Sequence, residues 1–123
     1  MAVITPTRNL DVLGDGGSVQ SWTWGPMANA DTGAPISLVQ WADRCVQVTG
    51  TFGAGGTIVF EGSNASTYAT LNNAQGTAIS LTAAGLKQVV ELPLLARPNV
   101  TAGDGTTSLT CVLVVRRQQP LRV

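Results

Sequence analysis

Apolar and polar positions alternate with a period of two along most of the chain, most clearly over Arg44 to Asn64, RCVQVTGTFGAGGTIVFEGSN. In the first arm Val46, Val48 and Phe52 fall on one face with Gly50 between them, while Cys45, Gln47, Thr49 and Thr51 fall on the other. In the second arm Ile58 and Phe60 alternate with Thr57, Val59 and Glu61. Alternation built from β-branched and aromatic residues marks strands with one face on a core. The joining Gly53-Ala54-Gly55-Gly56 supplies the positive φ of a tight reversal, so the stretch predicts a β-hairpin.

The same pattern recurs in both directions. Residues 1–17 have short apolar pairs broken by Pro6, Arg8, Asn9 and Asp11, then Gly14-Asp15-Gly16-Gly17, and predict an extended arm that covers its own sheet edge or adds a strand to a neighbour. Ser18 to Gly25 puts Gln20, Trp22 and Trp24 on one parity, a ledge read either as core or as a stacking or subunit-contact surface. Pro26 to Pro35 predicts an irregular loop, followed by a short strand over Ile36 to Trp41. Residues 62–73 hold a short strand framed by Tyr68 and Leu71, and further strands are expected over Thr77–Thr82 and Leu86–Leu92, the latter closed by Pro93. Leu94 to Thr101 is expected at an edge, Asp104-Gly105 as a hairpin turn, and Ser108 to Arg117, the most apolar run, as a central strand covered on both sides.

About eight short strands with no helical pattern predict an all-β fold, an antiparallel sandwich of jelly-roll type. The expected organisation is an arm (1–17), one sandwich domain (18–117) and a polar tail (118–123).

Composition narrows what such a domain does. Charged residues make up 11% of the chain, against about 25% in typical soluble domains, which suits a surface largely covered by neighbours. Seven cations balance seven anions, so net charge points to neither nucleic acid nor an anionic membrane. Lys87 is the single lysine; the other cations are arginines, whose planar fork suits interface contacts to carboxylates and carbonyls. No apolar run approaches the roughly 18 residues of a membrane span. The first residues lack the layout of a secretory signal, so the chain is expected to be made and kept in a cytoplasm until assembled.

Candidate chemistry is sparse. With no histidine the usual general base, hydrolase relay and most metal sites are missing, and the acids form no pair by sequence, so no enzyme and no cofactor is expected. Cys45 and Cys111 without histidine do not make a zinc site, and they are expected as buried free thiols or a cross-strand disulfide. Asn29, Asp31 and Gly33 offer one carboxylate, too few for calcium, and read as turn chemistry. The glycine clusters lack a phosphate-loop lysine and a following helix. What remains is an assembly surface: Val3, Ile4, Arg8 and Leu10 of the arm, the Trp22 and Trp24 ledge, and the basic set Arg97, Arg116, Arg117 and Arg122.

Residues 48–117 carry Gly62-Ser63-Asn64, Ala69 to Leu71, Arg97-Pro98, the Gly103-Asp104-Gly105 turn and a final apolar strand. In these it resembles the small β-sandwich virion proteins of tailed bacteriophages, departing at Ala65, Ser66 and Tyr68 where Asp, Gly and Trp are usual. The resemblance implies a structural protein of the particle, most similar to capsid decoration (cement) proteins. It implies a homo-oligomer, a trimer, on the outer surface of the head, with the major capsid protein as partner. The loop pattern also occurs in discoidin-like carbohydrate modules, which leaves a sugar- or receptor-binding module using Trp22, Trp24, Trp41 and Tyr68, or a tail or head-fibre adaptor, as the alternatives.

Overall fold

The computed structural model describes residues 1–14 and 16–117; the expected tail 118–123, with Arg122, lies outside the described residues. Twelve strands form two sheets, with no helix among the described residues. They are β1 (Val3–Ile4), β2 (Thr7–Asn9), β3 (Val19–Met27), β4 (Thr32–Gly33), β5 (Ile36–Ser37), β6 (Asp43–Thr51), β7 (Thr57–Ser63), β8 (Ala69–Thr70), β9 (Ser80–Leu81), β10 (Gly85–Gln88), β11 (Leu95–Ala102) and β12 (Ser108–Arg116). One sheet runs β10-β6-β12-β3-β2 and the other β1-β4-β11-β7-β8, with β5 on β11 and β9 on β7. The all-β sandwich class expected from alternation is what the structure shows.

β12 is central, as its sequence suggested, antiparallel to β6 on one side and β3 on the other. Leu109, Cys111, Leu113 and Val115 point inward and are buried, against Val46 and Val48 of β6 and Trp22 and Trp24 of β3. The expected cover on both sides is only partial, since Thr110, Val112 and Val114 on the other face are half-buried. Trp24 is fully enclosed between the sheets, its ring edge-on to Phe60 of β7 at 6.3 Å.

The predicted hairpin is corrected. β6 and β7 are both strands, but they never pair: β6 belongs to the five-stranded sheet and β7 to the other. Gly53 to Gly56 therefore forms an arch across the sandwich, with Gly53 and Gly55 at positive φ. Alternation fixes which face of a strand is buried, but a glycine-rich turn permits reversal within a sheet or between sheets. The same correction applies to Asp104-Gly105, which joins β11 of one sheet to β12 of the other.

These two arches are fastened to each other. Asp104 accepts hydrogen bonds from the Ala54 amide (2.8 Å), the Thr106 amide (2.8 Å) and the Thr106 hydroxyl (2.7 Å), and the Thr107 hydroxyl donates to the Phe52 carbonyl at 2.8 Å. Those donors, the Ala54 amide first, hold the Asp104 carboxyl down to about 2.

Of the two expectations for the N-terminal arm, the structure shows the first, cover of its own sheet edges. β1 lies parallel to β4 in one sheet and β2 antiparallel to β3 in the other, so the segment closes one flank of the sandwich in its own chain. Asp31 fastens it, accepting from the Ala2 amide (2.9 Å) and the Ala28 amide (2.8 Å), turn chemistry of the expected kind.

Other boundaries shift as well. β3 continues through Pro26 to Met27, and the expected loop contains β4. The strands expected over Ile36–Trp41, Thr77–Thr82 and Leu86–Leu92 contract to β5, β9 and β10. β11 is central instead of an edge, despite Pro98. The Val100 amide donates to the Asp31 carbonyl on the β4 flank, so the donor that Pro98 lacks falls on that flank, in the gap between the pairings with β5 and β4. Gly33 packs there because a Cβ would stand 2.6 Å from Pro98 Cδ and 2.7 Å from Trp24 Cδ1.

Cys45 and Cys111 are free thiols on opposite faces of the five-stranded sheet, Cys45 paired with outward Val114 and Cys111 inward opposite Val48. Burial pushes the Cys111 thiol up to about 12; burial also raises Cys45, partly countered by the Arg116 charge.

Two outcomes follow. A thiol reagent at neutral pH labels Cys45 slowly in the folded protein and Cys111 only after unfolding; equal labelling of both thiols in the native state contradicts this sidedness. Asp104's folded-state value lies below its ordinary 3.8, so its contribution is full above that value and is lost as pH falls toward 2. In thermal melts, Asp104→Asn is less stable than the parent at neutral pH and the two curves converge between pH 4 and 2; a constant gap over that range refutes the assignment.

Candidate interaction site

The end of the sandwich opposite the arches gathers tryptophan and arginine. The β2–β3 register sets Arg8 directly across from Trp22, on the inward-facing parity that also carries Gln20. The Arg8 guanidinium carbon stands 5.0 Å from the Trp22 ring centroid, and its Nη2 donates to the Gln20 Oε1 at 2.7 Å. Trp41 arrives from the turn after β5, where its amide donates to the Leu38 carbonyl, and its ring meets Trp22 edge-on at 6.2 Å and 82°. Arg117, which follows β12 and donates its amide to the Ser18 carbonyl, lays its guanidinium 5.4 Å from the Trp41 centroid. Trp22 and Trp41 thus each carry an arginine against them, an arrangement favourable by about 0.5–1 kcal/mol where exposed.

Behind the Trp41 backbone lies Arg44. It shares the inward parity of Val46 and Val48 and is 4% exposed. Its Nη1 donates to the Glu91 carbonyl (2.7 Å) and its Nη2 to the carbonyls of Leu38 (3.1 Å) and Trp41 (3.0 Å). Nε is buried without a partner, and no ion pair to Arg44 forms among the described residues. Burial lowers its pKa from the ordinary arginine value, though a guanidinium starts high enough to stay charged. The turn at residues 38–41 therefore stands as a ridge over a fixed positive charge. A groove of about 190 Å³ bounded by Arg8, Trp22 and Ile36 lies on one side of it, and one of about 450 Å³ bounded by Ala42, Leu92 and Arg117 on the other; Val39, Gln40 and Trp41 line both.

Three of the residues expected on an assembly surface, Arg8, Trp22 and Arg117, are thus brought together. The rest are dispersed. Val3 and Leu10 are exposed, and Ile4 is half-buried against the core. Arg116 sits outward at the end of β12, across from Asp43. Arg97 is engaged within the fold: its Nε contacts Glu61 Oε1 at 2.8 Å, and its guanidinium lies 3.8 Å from the Tyr68 centroid, clamping the 64–68 loop onto the outer face of its sheet.

The ledge reading of Trp22 and Trp24 as a stacking surface is corrected, because alternation directs both into the core, where they are 7% and 0% exposed, and Trp41 is 5% exposed. Sequence reasoning missed Arg44, although its parity with Val46 and Val48 was the available signal.

Removing the guanidinium fork leaves three carbonyls competing for fewer donors. Arg44→Lys is expected to lower unfolding stability by about 1–3 kcal/mol, and Arg44→Met by more, measured from urea midpoints. Lysine matching arginine within error is the outcome that removes Arg44 as the anchor of this end. A comparison with protein-family models and with curated proteins finds no match to this chain.

Proposed function

We propose that this chain is a non-enzymatic structural subunit of a phage particle, of the capsid decoration kind, which associates as a trimer and braces the outer shell against the major capsid protein. The sequence resemblance over residues 48–117 supports this reading, and one feature of the fold carries it. The outward face of the five-stranded sheet has no charged side chain across its middle rungs. One rung reads Asn9, Ser21, Val114, Cys45 and Gln88, and the next Thr7, Thr23, Val112, Gln47 and Leu86; Asp43 and Arg116 stand only at the end. Five strands make this face about 19 Å wide.

Such a face has no charge to desolvate and no like-charge repulsion against a copy of itself or a flat neighbour, and its hydroxyls and amides can hydrogen-bond across the contact. It is modest in area, so affinity at one site is modest, and repetition around a shell supplies the rest through multivalency. Because residues 1–17 complete both sheets of their own subunit, association proceeds through faces of the folded domain and needs no exchanged arm.

Light scattering should give about three times the 12.7 kDa chain mass, and the protein should co-sediment with phage heads stripped of decoration. Gln47→Lys, an exposed change at the centre of the face, should leave stability within about 0.5 kcal/mol while abolishing co-sedimentation. A monomer that leaves heads bare, or rings and stacked tubes in place of a small oligomer, removes the decoration reading.

A further inference from the structure

We propose that the paired grooves flanking residues 39–41 are a binding site for an acidic peptide segment of a partner protein, held by Arg8 on one side and Arg117 on the other. This goes beyond the decoration reading and does not depend on it.

The charge distribution points to an anion. Arg8 and Arg117 flank the ridge, Arg44 lies under it, and no acidic side chain lines either groove. Both outer guanidinia keep donors in hand. Arg8 makes one hydrogen bond, to Gln20, and the Arg117 guanidinium makes none with the described residues, so most of their N–H groups face solvent or a ligand. Stacking against Trp22 and Trp41 restrains both forks, which reduces the entropy lost when a carboxylate is clamped.

The apolar surroundings decide which kind of anion. Val39 and Leu92 are 63% and 66% exposed beside the grooves and offer contact to aliphatic side chains. A sugar ring needs an open aromatic face, and Trp22 and Trp41 are nearly buried with arginines already against them. A peptide that alternates carboxylates with apolar residues matches both features.

The test titrates the full chain with an acetylated, amidated peptide alternating glutamate and leucine, and with its glutamine counterpart, following tryptophan emission. Saturable binding is expected for the glutamate peptide alone, weakening as salt rises and falling about tenfold or more in Arg8→Gln/Arg117→Gln, as loss of charge-assisted hydrogen bonds implies. An unchanged urea midpoint certifies the double variant; should it fail to fold, Arg117→Gln alone carries the test, since Arg117 is exposed and its side chain makes no hydrogen bond with the described residues. Equal binding of the glutamine peptide, unchanged binding in the variant, or no saturation at millimolar peptide overturns the proposal. So does tighter binding of a uronic-acid oligosaccharide, which assigns the grooves to an anionic glycan. Because the assay uses the isolated protein and a synthetic peptide, its failure leaves the shell-binding reading standing, and the reverse holds.

Discussion

A single guanidinium, buried and without a carboxylate partner among the described residues, sets the geometry of one end of this protein. Taking a cation out of water costs several kcal/mol unless hydrogen bonds offset it. Arg44 meets that cost with backbone carbonyls alone, from Leu38, Trp41 and Glu91. Those carbonyls come from two connections, one leaving β5 and one preceding β11, which otherwise have few ladder bonds to hold them. The anchor fixes the 38–41 turn, the turn places Trp41 against Trp22, and Trp41 gives Arg117 its seat. Carbonyl dipoles solvate the charge but do not cancel it, so the end keeps a positive field that an ion pair would have removed.

The opposite end solves the same problem with the opposite sign. There the crossing chains leave amides in need of acceptors, and the Asp104 carboxylate takes those of Ala54 and Thr106. In both places a charged side chain satisfies backbone groups that the sheets cannot reach, because the chain has left one sheet and not yet joined the other. Arg44 and Asp104 thus sit where the ladders end. Within the ladders, Arg97 and Glu61 pair on one rung of β11 and β7, while the middle rungs of the five-stranded sheet's outward face carry no charge.

What the sequence disclosed and what it withheld divide along a physical line. Alternation at Val46 and Val48, and at Leu109 to Val115, is a local property of a strand lying on a core, so strand positions, sidedness and the centrality of β12 were legible. Pairing is non-local. Nothing in Gly53-Ala54-Gly55-Gly56 distinguishes an arch from a hairpin, because the deciding contacts come from Asp104 and Thr107 some fifty residues away. β1, β4, β5, β8 and β9 are two residues long and hold their places through neighbours, so no periodicity announces them. The place of β11 was hidden for a related reason: Pro98 is compatible with a central strand only because its missing donor faces no partner, and that depends on where β4 and β5 happen to stop. At the tryptophan end, Arg8 and Trp22 were identifiable as residues but not as neighbours of Trp41 and Arg117.

The arginines show why residue type alone does not locate a binding surface. Arg44 has its terminal nitrogens occupied by carbonyls and cannot take a ligand without dismantling part of the fold, while Arg97 is tied through Nε to Glu61 and packed on Tyr68 on the outer face of the other sheet, away from the grooves. Arg8 shares one bond with Gln20, and Arg117 rests on an indole with its fork otherwise free among the described residues. Capacity to bind therefore follows from unmet hydrogen-bonding valence as well as from charge. On that measure the grooves beside Trp41 stand out, because Arg8 and Arg117 both border them and Arg44, the buried cation among the described residues, lies close by, while the neutral sheet face is left suited to contacts in which charge plays no part.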